Sequence, residues 1–148
     1  MNTDNNPNSY KHSQLTSTII KSFYTVYNRL GYGFLEKVYE NSLMIELQKQ
    51  GLKPIKQQPI EVFYDEESVG NYFADIVVND SVIVEIKTGE VLIEEHEAQL
   101  INYLRATNIE VGLLLNFGKS AEVKRKIFSN ENKNHESKKI SGQSAQSV

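Results

Sequence analysis

The sequence predicts a mixed α/β (α+β) domain, a central β-sheet flanked by helices in the order α-α-β-β-β-α-β-(β). Three observations carry this expectation. Apolar residues recur at three- and four-residue spacing through the first third of the chain. Short runs rich in β-branched residues, separated by turn formers, follow Pro59. Val111 to Phe117 (VGLLLNF) is nearly continuous in apolar residues, the pattern of a central strand covered on both faces.

Taken in order, Leu15, Ile19, Phe23, Val26, Tyr27 and Leu30 form one stripe of a first helix. Ser13 or Thr16 is its expected N-cap and Gly31 its stop. A second helix is expected from Phe34 to Gln50, burying Leu35, Val38, Tyr39, Leu43 and Leu47 and ending at Gly51. Pro54 and Pro59 exclude further helix nearby. Ile60, Val62 and Tyr64 alternate as a strand, with Asp65-Glu66-Glu67 as its turn. Val69 to Val78 and Val82 to Lys87 are the next strands, joined at Asn79-Asp80-Ser81. Glu94 to Ala106 reads as a helix turning Leu100, Ile101 and Leu104 to the core, and Val123 to Phe128 as a short last strand. Residues 1–12 and 129–148 are too polar to offset the entropy of ordering, so the folded domain is expected at 13–128.

Composition narrows the function. The chain has 148 residues, 39% hydrophobic and 24% charged, ordinary for one globular domain. It has no cysteine, which excludes disulfides and thiolate metal sites and suits a reducing compartment. The polar N-terminus lacks a signal-peptide pattern, and no apolar run is long enough to span a bilayer, so a cytoplasmic location is expected. The net charge of −3 is unevenly spread. Residues 61–97 hold eleven acids and one base, Lys87, whereas the segments on either side are net positive. An acidic centre between basic flanks suits a cation site beside phosphate-contacting surfaces, although Asp65-Glu66-Glu67 and Glu94-Glu95 read better as solvated loops.

The chemistry-bearing triplet is Glu85-Ile86-Lys87. The chain contains four Glu-x-Lys triplets, at Glu85, Glu122, Glu131 and Glu136, so the triplet alone means little. Only the first follows a strand carrying an acid, Asp75, across a tight turn. If Asn79-Asp80-Ser81 is a three-residue loop, Val78 pairs with Val82 and Asp75 with Glu85. Asp75, Glu85 and Lys87 then share one face, while Ile76, Val84 and Ile86 turn to the core. A two-residue loop would set Asp75 against Val84 and destroy the arrangement. Two carboxylates so close repel unless a cation or a proton lies between them. Oxygen-only ligands select Mg²⁺ or Mn²⁺ over zinc, and such an ion polarises a phosphoryl oxygen and activates water. A surface ion pair between Glu85 and Lys87 is the competing reading of the triplet.

Further segments bear on that choice. Gly33-Phe34-Leu35-Glu36-Lys37-Val38-Tyr39 has the form G-x-x-E-x-x-Y at a helix start. With Tyr72-Phe73-Ala74-Asp75, Val84-Glu85-Ile86-Lys87, His96 to Arg105 and Val111 to Phe117 in this order, it resembles the GxxExxY proteins of the PD-(D/E)XK nuclease superfamily. The resemblance implies a restriction-endonuclease-like core. It implies that Asp75 and Glu85 bind the metal, that Lys87 acts beside it, and that Glu36 supplies a further acid. Gln99 and Tyr103 match the Q-x-x-x-Y pattern of RecB-type nucleases, in which the glutamine lies close to the metal. A helix brings His96 to the same side. Ala74 stands where the superfamily name has proline.

Each of these residues has a plainer role to set against the functional one. Glu36 suits a first helical turn through the dipole, Gln99 a surface helix position, and Tyr103 packing. His96 is read as a supporting or phosphate contact, Gly33 as a helix-entry turn, and Tyr39 as a core aromatic whose hydroxyl seeks a partner. Lys119, Lys124, Arg125 and Lys126 form a basic cluster, either a phosphate contact or a solubilising strip. Nothing resembles a base-reading module, so backbone recognition is expected, with targeting left to a protein partner or a homo-oligomer. The leading expectation is Mg²⁺- or Mn²⁺-dependent hydrolysis of DNA rather than RNA. Its rivals are a catalytically inactive nuclease-like fold that binds nucleic acid or protein, and a structural ion site in an interaction protein.

Overall fold

A computed structural model describes residues 11–133; the expectations for residues 1–10 and 134–148 lie outside this range. The first amphipathic stripe becomes α1 (Ser13–Leu30), which buries Ile19, Phe23 and Val26. Its cap is His12 rather than Ser13 or Thr16, and the Thr16 hydroxyl instead donates to the Ser13 carbonyl inside the helix. Helix α2 (Glu36–Lys49) begins later than expected, because Leu35 is its extended N-cap. Leu35 is therefore 81% exposed and Val38 38% exposed, contrary to the expected inner face. The inner face is set by Tyr39, stacked on Phe117 with centroids 4.2 Å apart, and by Leu43 and Leu47. The Tyr39 hydroxyl donates to the Gly31 carbonyl (2.6 Å) and accepts from Phe34 N–H (3.2 Å), tying the helix entry to the end of α1.

Five strands follow: β1 (Pro54–Tyr64), β2 (Glu67–Val78), β3 (Val82–Lys87), β4 (Val111–Phe117) and β5 (Ala121–Ile127). They form one sheet in the order β1-β2-β3-β4-β5. Strand β1 starts at Pro54 rather than Ile60. It is an edge strand, where a missing proline N–H need not interrupt a ladder. Strand β2 starts at Glu67 rather than Val69, since the turn needs only Asp65 and Glu66, both with positive φ, as in a tight hairpin. Helix α3 (Glu94–Arg105) carries the chain from β3 to β4, which pair in parallel; the other neighbours are antiparallel.

The sheet separates two cores. Ile76, Val82, Val84, Ile86, Leu113 and Leu115 pack with α1 and α2, whereas Val77, Ile83 and Leu114 pack with Leu100 and Leu104 of α3. Every residue of β4 is buried, as its apolar run predicts. Helix α3 lies close on it: a Cβ added at Gly112 would stand 2.6 Å from Leu100 Cδ1. The folded part also extends beyond both expected boundaries. Lys11 Nζ reaches Glu110 at 3.2 Å, and Asn130–Asn132 form a 3₁₀ turn capped by Ser129 and Lys133, the latter only 6% exposed. Backbone carbonyls and Glu110, rather than apolar burial, hold this segment. No helix among the described residues is long and apolar enough to cross a membrane.

Candidate metal centre

The β2–β3 connection is the three-residue turn Asn79-Asp80-Ser81, closed by Ser81 N–H donating to the Val78 carbonyl at 2.9 Å. Pairing runs from Val78–Val82 to Ile76–Val84. The next step sets Asp75 opposite Glu85. There, side chains enter the ladder. Asp75 N–H donates to Glu85 Oε2 (2.9 Å), and Ile86 N–H donates to Asp75 Oδ2 (2.8 Å). Each strand thus orients the other's carboxylate, and each bond engages one oxygen of its group.

Desolvation sets the electrostatics. Glu85 is 3% exposed, and burial, followed by the charge of Asp75, pushes its carboxyl up to about 8. The Asp75 N–H and Lys87 oppose this without cancelling it. Asp75 is likewise raised, first by burial, against the pull of Ile86 N–H. Glu36, in the first turn of α2, is raised by burial and feels Lys87, Asp75 and Glu40. Lys87 Nζ donates to Gln99 Oε1 at 3.3 Å, bringing α3 to the same point. The Tyr103 hydroxyl is pushed up to about 12 by burial and then by the charges of Glu85 and Asp75. Hydrogen bonds thus bring Asp75 and Glu85 together and Lys87 to Gln99, across β2, β3 and α3, while Glu36 on α2 and Tyr103 on α3 lie where the charges of this group act on them.

The other candidates are placed differently. His96 Nδ1 accepts from Ile93 N–H (3.3 Å) at the entry of α3, and burial and Lys87 lower its pKa. The basic cluster is not one surface. Lys124 and Lys126 both pair with Glu97, at 3.9 and 2.5 Å, whereas Arg125 donates to the Lys11 carbonyl at 2.6 Å. The Lys119 carbonyl accepts from Tyr27 at the β4–β5 turn. Alternation along β5 separates Arg125 from its neighbours.

Sequence reasoning missed two residues. Glu40 is only 6% exposed and lies one turn after Glu36. It accepts a 2.9 Å bond from Gln57 Nε2 on β1, the second residue the sequence reading passed over. The i, i+4 spacing of Glu36 and Glu40 is the one signal that could have found the first.

Among the described residues, no three His, Cys, Asp or Glu side chains gather into a ready-made cation cage. The three-acid set of Asp75, Glu85 and Glu36 is thus not assembled as a closed ligand shell. The Asp75–Glu85 pair still fits a hard divalent cation, since both groups are oxygen donors, desolvated, adjacent and short of neutralising charge.

A family model described as the PD-(D/E)XK nuclease superfamily matches residues 13–127. A solved structure described as the crystal structure of SSO0001 is 18% identical, with a TM-score of 0.47 over 82% of this chain. The chain spans 60% of the length of that protein. No curated protein matches the sequence.

Proposed function

The chain belongs to the PD-(D/E)XK nuclease superfamily, and from that premise we propose that it hydrolyses phosphodiester bonds of DNA with Mg²⁺ or Mn²⁺. Within the superfamily, we place it with the GxxExxY proteins on Gly33, Glu36 and Tyr39. The observation that carries the proposal is the reciprocal Asp75–Glu85 pair with Lys87 held beside it by Gln99. A divalent cation bound by the two carboxylates supplies Lewis-acid polarisation of the phosphodiester.

The chain's own groups account for the rest. Asp75 and Glu85 are presented with fixed rotamers, because each accepts a backbone N–H of the opposite strand. The Lys87 ammonium keeps two donor hydrogens beyond the one given to Gln99, enough to hold a phosphoryl oxygen as negative charge develops. Tyr103 stays protonated at neutral pH, so its hydroxyl can donate to a phosphate oxygen. Glu36 adds negative charge from the helix side and can draw a cation toward the pair.

A second reading is a nuclease fold retained for binding nucleic acid or a protein partner. One assay separates the two. Linear, circular and single-stranded DNA, with RNA alongside, are incubated with purified protein and Mn²⁺ beside a Lys87→Ala control. Cleavage that needs Mn²⁺ and fades in the control supports hydrolysis. Retained DNA binding with no cleavage of any substrate leaves the binding reading.

A further inference from the structure

Strand β3 pairs with β2 only over Ile76–Val78, so the outer part of the β1–β2 hairpin reaches past it. There Ile60 pairs with Tyr72, and Val62 with Gly70. Directly paired residues share a face, and Ile60 and Val62 pack on the α3 side, so Tyr72 is turned toward α3 as well. Its ring lies over Gly70, where an added Cβ would stand 3.0 Å from Tyr72 Cε2. The Tyr103 ring of α3 comes within 6.1 Å, centroid to centroid, at 45°. The two rings are neighbours that do not stack on each other, and Tyr72 remains 48% exposed.

Between the hairpin and α3 lies a cavity of about 500 Å³, lined by both tyrosines, Gln99 and Asn102. Its size falls within the roughly 300–1,000 Å³ of small-ligand sites. Gln99 joins it to the candidate metal centre, since Gln99 Oε1 accepts from Lys87 Nζ at 3.3 Å. Asn102 Oδ1 accepts from Arg105 at 3.2 Å. With both oxygens engaged, the two amides present their N–H₂ groups, which are donors for ring carbonyls. Glu95 and Arg105 in the lining carry opposite charges, so the cavity suits a neutral planar group better than a phosphate. An aromatic face beside amide donors, without net charge, is the chemistry that recognises a nucleobase. A base within a duplex is stacked on both sides and cannot enter such a recess, whereas an unpaired base can.

We propose that this cavity receives an unpaired base of the strand whose phosphodiester meets the Asp75–Glu85 pair, which makes single-stranded DNA the substrate. This deepens the nuclease reading and rests on it. Tyr72 stacks on the base, while the Gln99 and Asn102 amides donate to its carbonyls. Because Gln99 also holds Lys87, a base seated in the cavity brings its adjoining phosphate toward the carboxylates. Tyr72 binds the strand and takes no part in the chemistry.

The test uses the full chain in EDTA, titrated with oligothymidylate, with an abasic strand of the same length and with duplex DNA, and read by fluorescence anisotropy. Wild type should bind oligothymidylate roughly 5- to 150-fold more tightly than the abasic strand, the scale of one stacked base. Tyr72→Ala should lose that advantage yet bind the abasic strand like wild type, whereas Tyr72→Phe keeps the ring and the advantage. The chain has no tryptophan. Tyr72→Trp therefore supplies a single indole, whose emission should be quenched by oligothymidylate and not by the abasic strand. Equal wild-type affinity for the two strands, an advantage kept by Tyr72→Ala, or an indole that ignores bound oligothymidylate overturns the proposal. So does duplex bound as tightly as oligothymidylate. Mn²⁺-dependent cleavage would in each case leave the nuclease reading standing. Base-selective binding by a wild type that cleaves nothing overturns the hydrolysis and keeps the cavity as a base-binding site. Binding of no strand at all overturns both.

Discussion

Glu85 keeps a proton well above the usual carboxylate range because burial and the neighbouring Asp75 charge act in the same direction. Its folded value of about 8 lies above its ordinary 4.5, so the folded state binds the proton more tightly through that interval. The stability it contributes is complete below about 4.5 and lost as pH rises through about 8. Metal-free protein in EDTA should therefore melt progressively lower from pH 5 to 9 relative to Glu85→Gln, which mimics the protonated form. A constant difference between the two across that range would refute the burial argument. Lys87 separates binding from chemistry. Lys87→Ala should keep or raise Mn²⁺ affinity, since a positive charge beside the carboxylates is gone, while cleavage falls by roughly 10²–10³. Equal losses of both would make Lys87 a scaffold residue. Asp75, Glu85 and Lys87 were legible in the sequence because period-two counting across a three-residue turn needs only local register. Gln57 was not: its partner Glu40 lies on α2, distant in sequence, and its local neighbours, Pro54 and Pro59, suggest only an irregular segment.

At the scale of elements, the candidate centre depends on how closely α3 lies on β4, since Gln99 reaches Lys87 only from that helix. Gly112 sets this distance, with no side chain between β4 and Leu100. Gly112→Ala should force Leu100 to shift, destabilising by about 1–3 kcal/mol as overpacked sites do, and should weaken the Lys87–Gln99 contact. Adding Leu100→Ala should recover part of the loss, a coupling measurable in a double-mutant cycle by denaturant melting. Strict additivity would show that the close approach is incidental. Helix and strand order was legible because each element carries one strong period. The inner face of α2 was less so. Leu35, Val38, Tyr39 and Glu40 all compete for it, and the Tyr39–Phe117 stack, a contact between distant residues, decides in favour of Tyr39 and carries Glu40 inward.

At the scale of the whole molecule, Glu110 joins the two ends of the described chain. It accepts from Lys11 Nζ (3.2 Å), Asn130 N–H (2.7 Å) and Ser129 Oγ (3.4 Å). Burial alone would raise its pKa, but the Asn130 N–H and Lys11 bring it below the usual carboxylate value. Lys133 completes the closure by donating to the Thr107 and Ile109 carbonyls, at 2.7 and 3.2 Å. These bonds seal the α3–β4 loop, the far end of the element that presents Gln99. A chain ending at Phe128 leaves two loop carbonyls without the Lys133 donor and Glu110 with Lys11 alone, each lost buried bond costing about 1–3 kcal/mol where water cannot substitute. It should melt several degrees below a chain ending at Lys133. Glu110→Gln in the longer chain should reproduce part of that loss, and the part should shrink as pH falls through the depressed Glu110 value. Equal melting of the two truncated chains would show that residues 129–133 merely rest on the fold, and that its working boundary is Phe128.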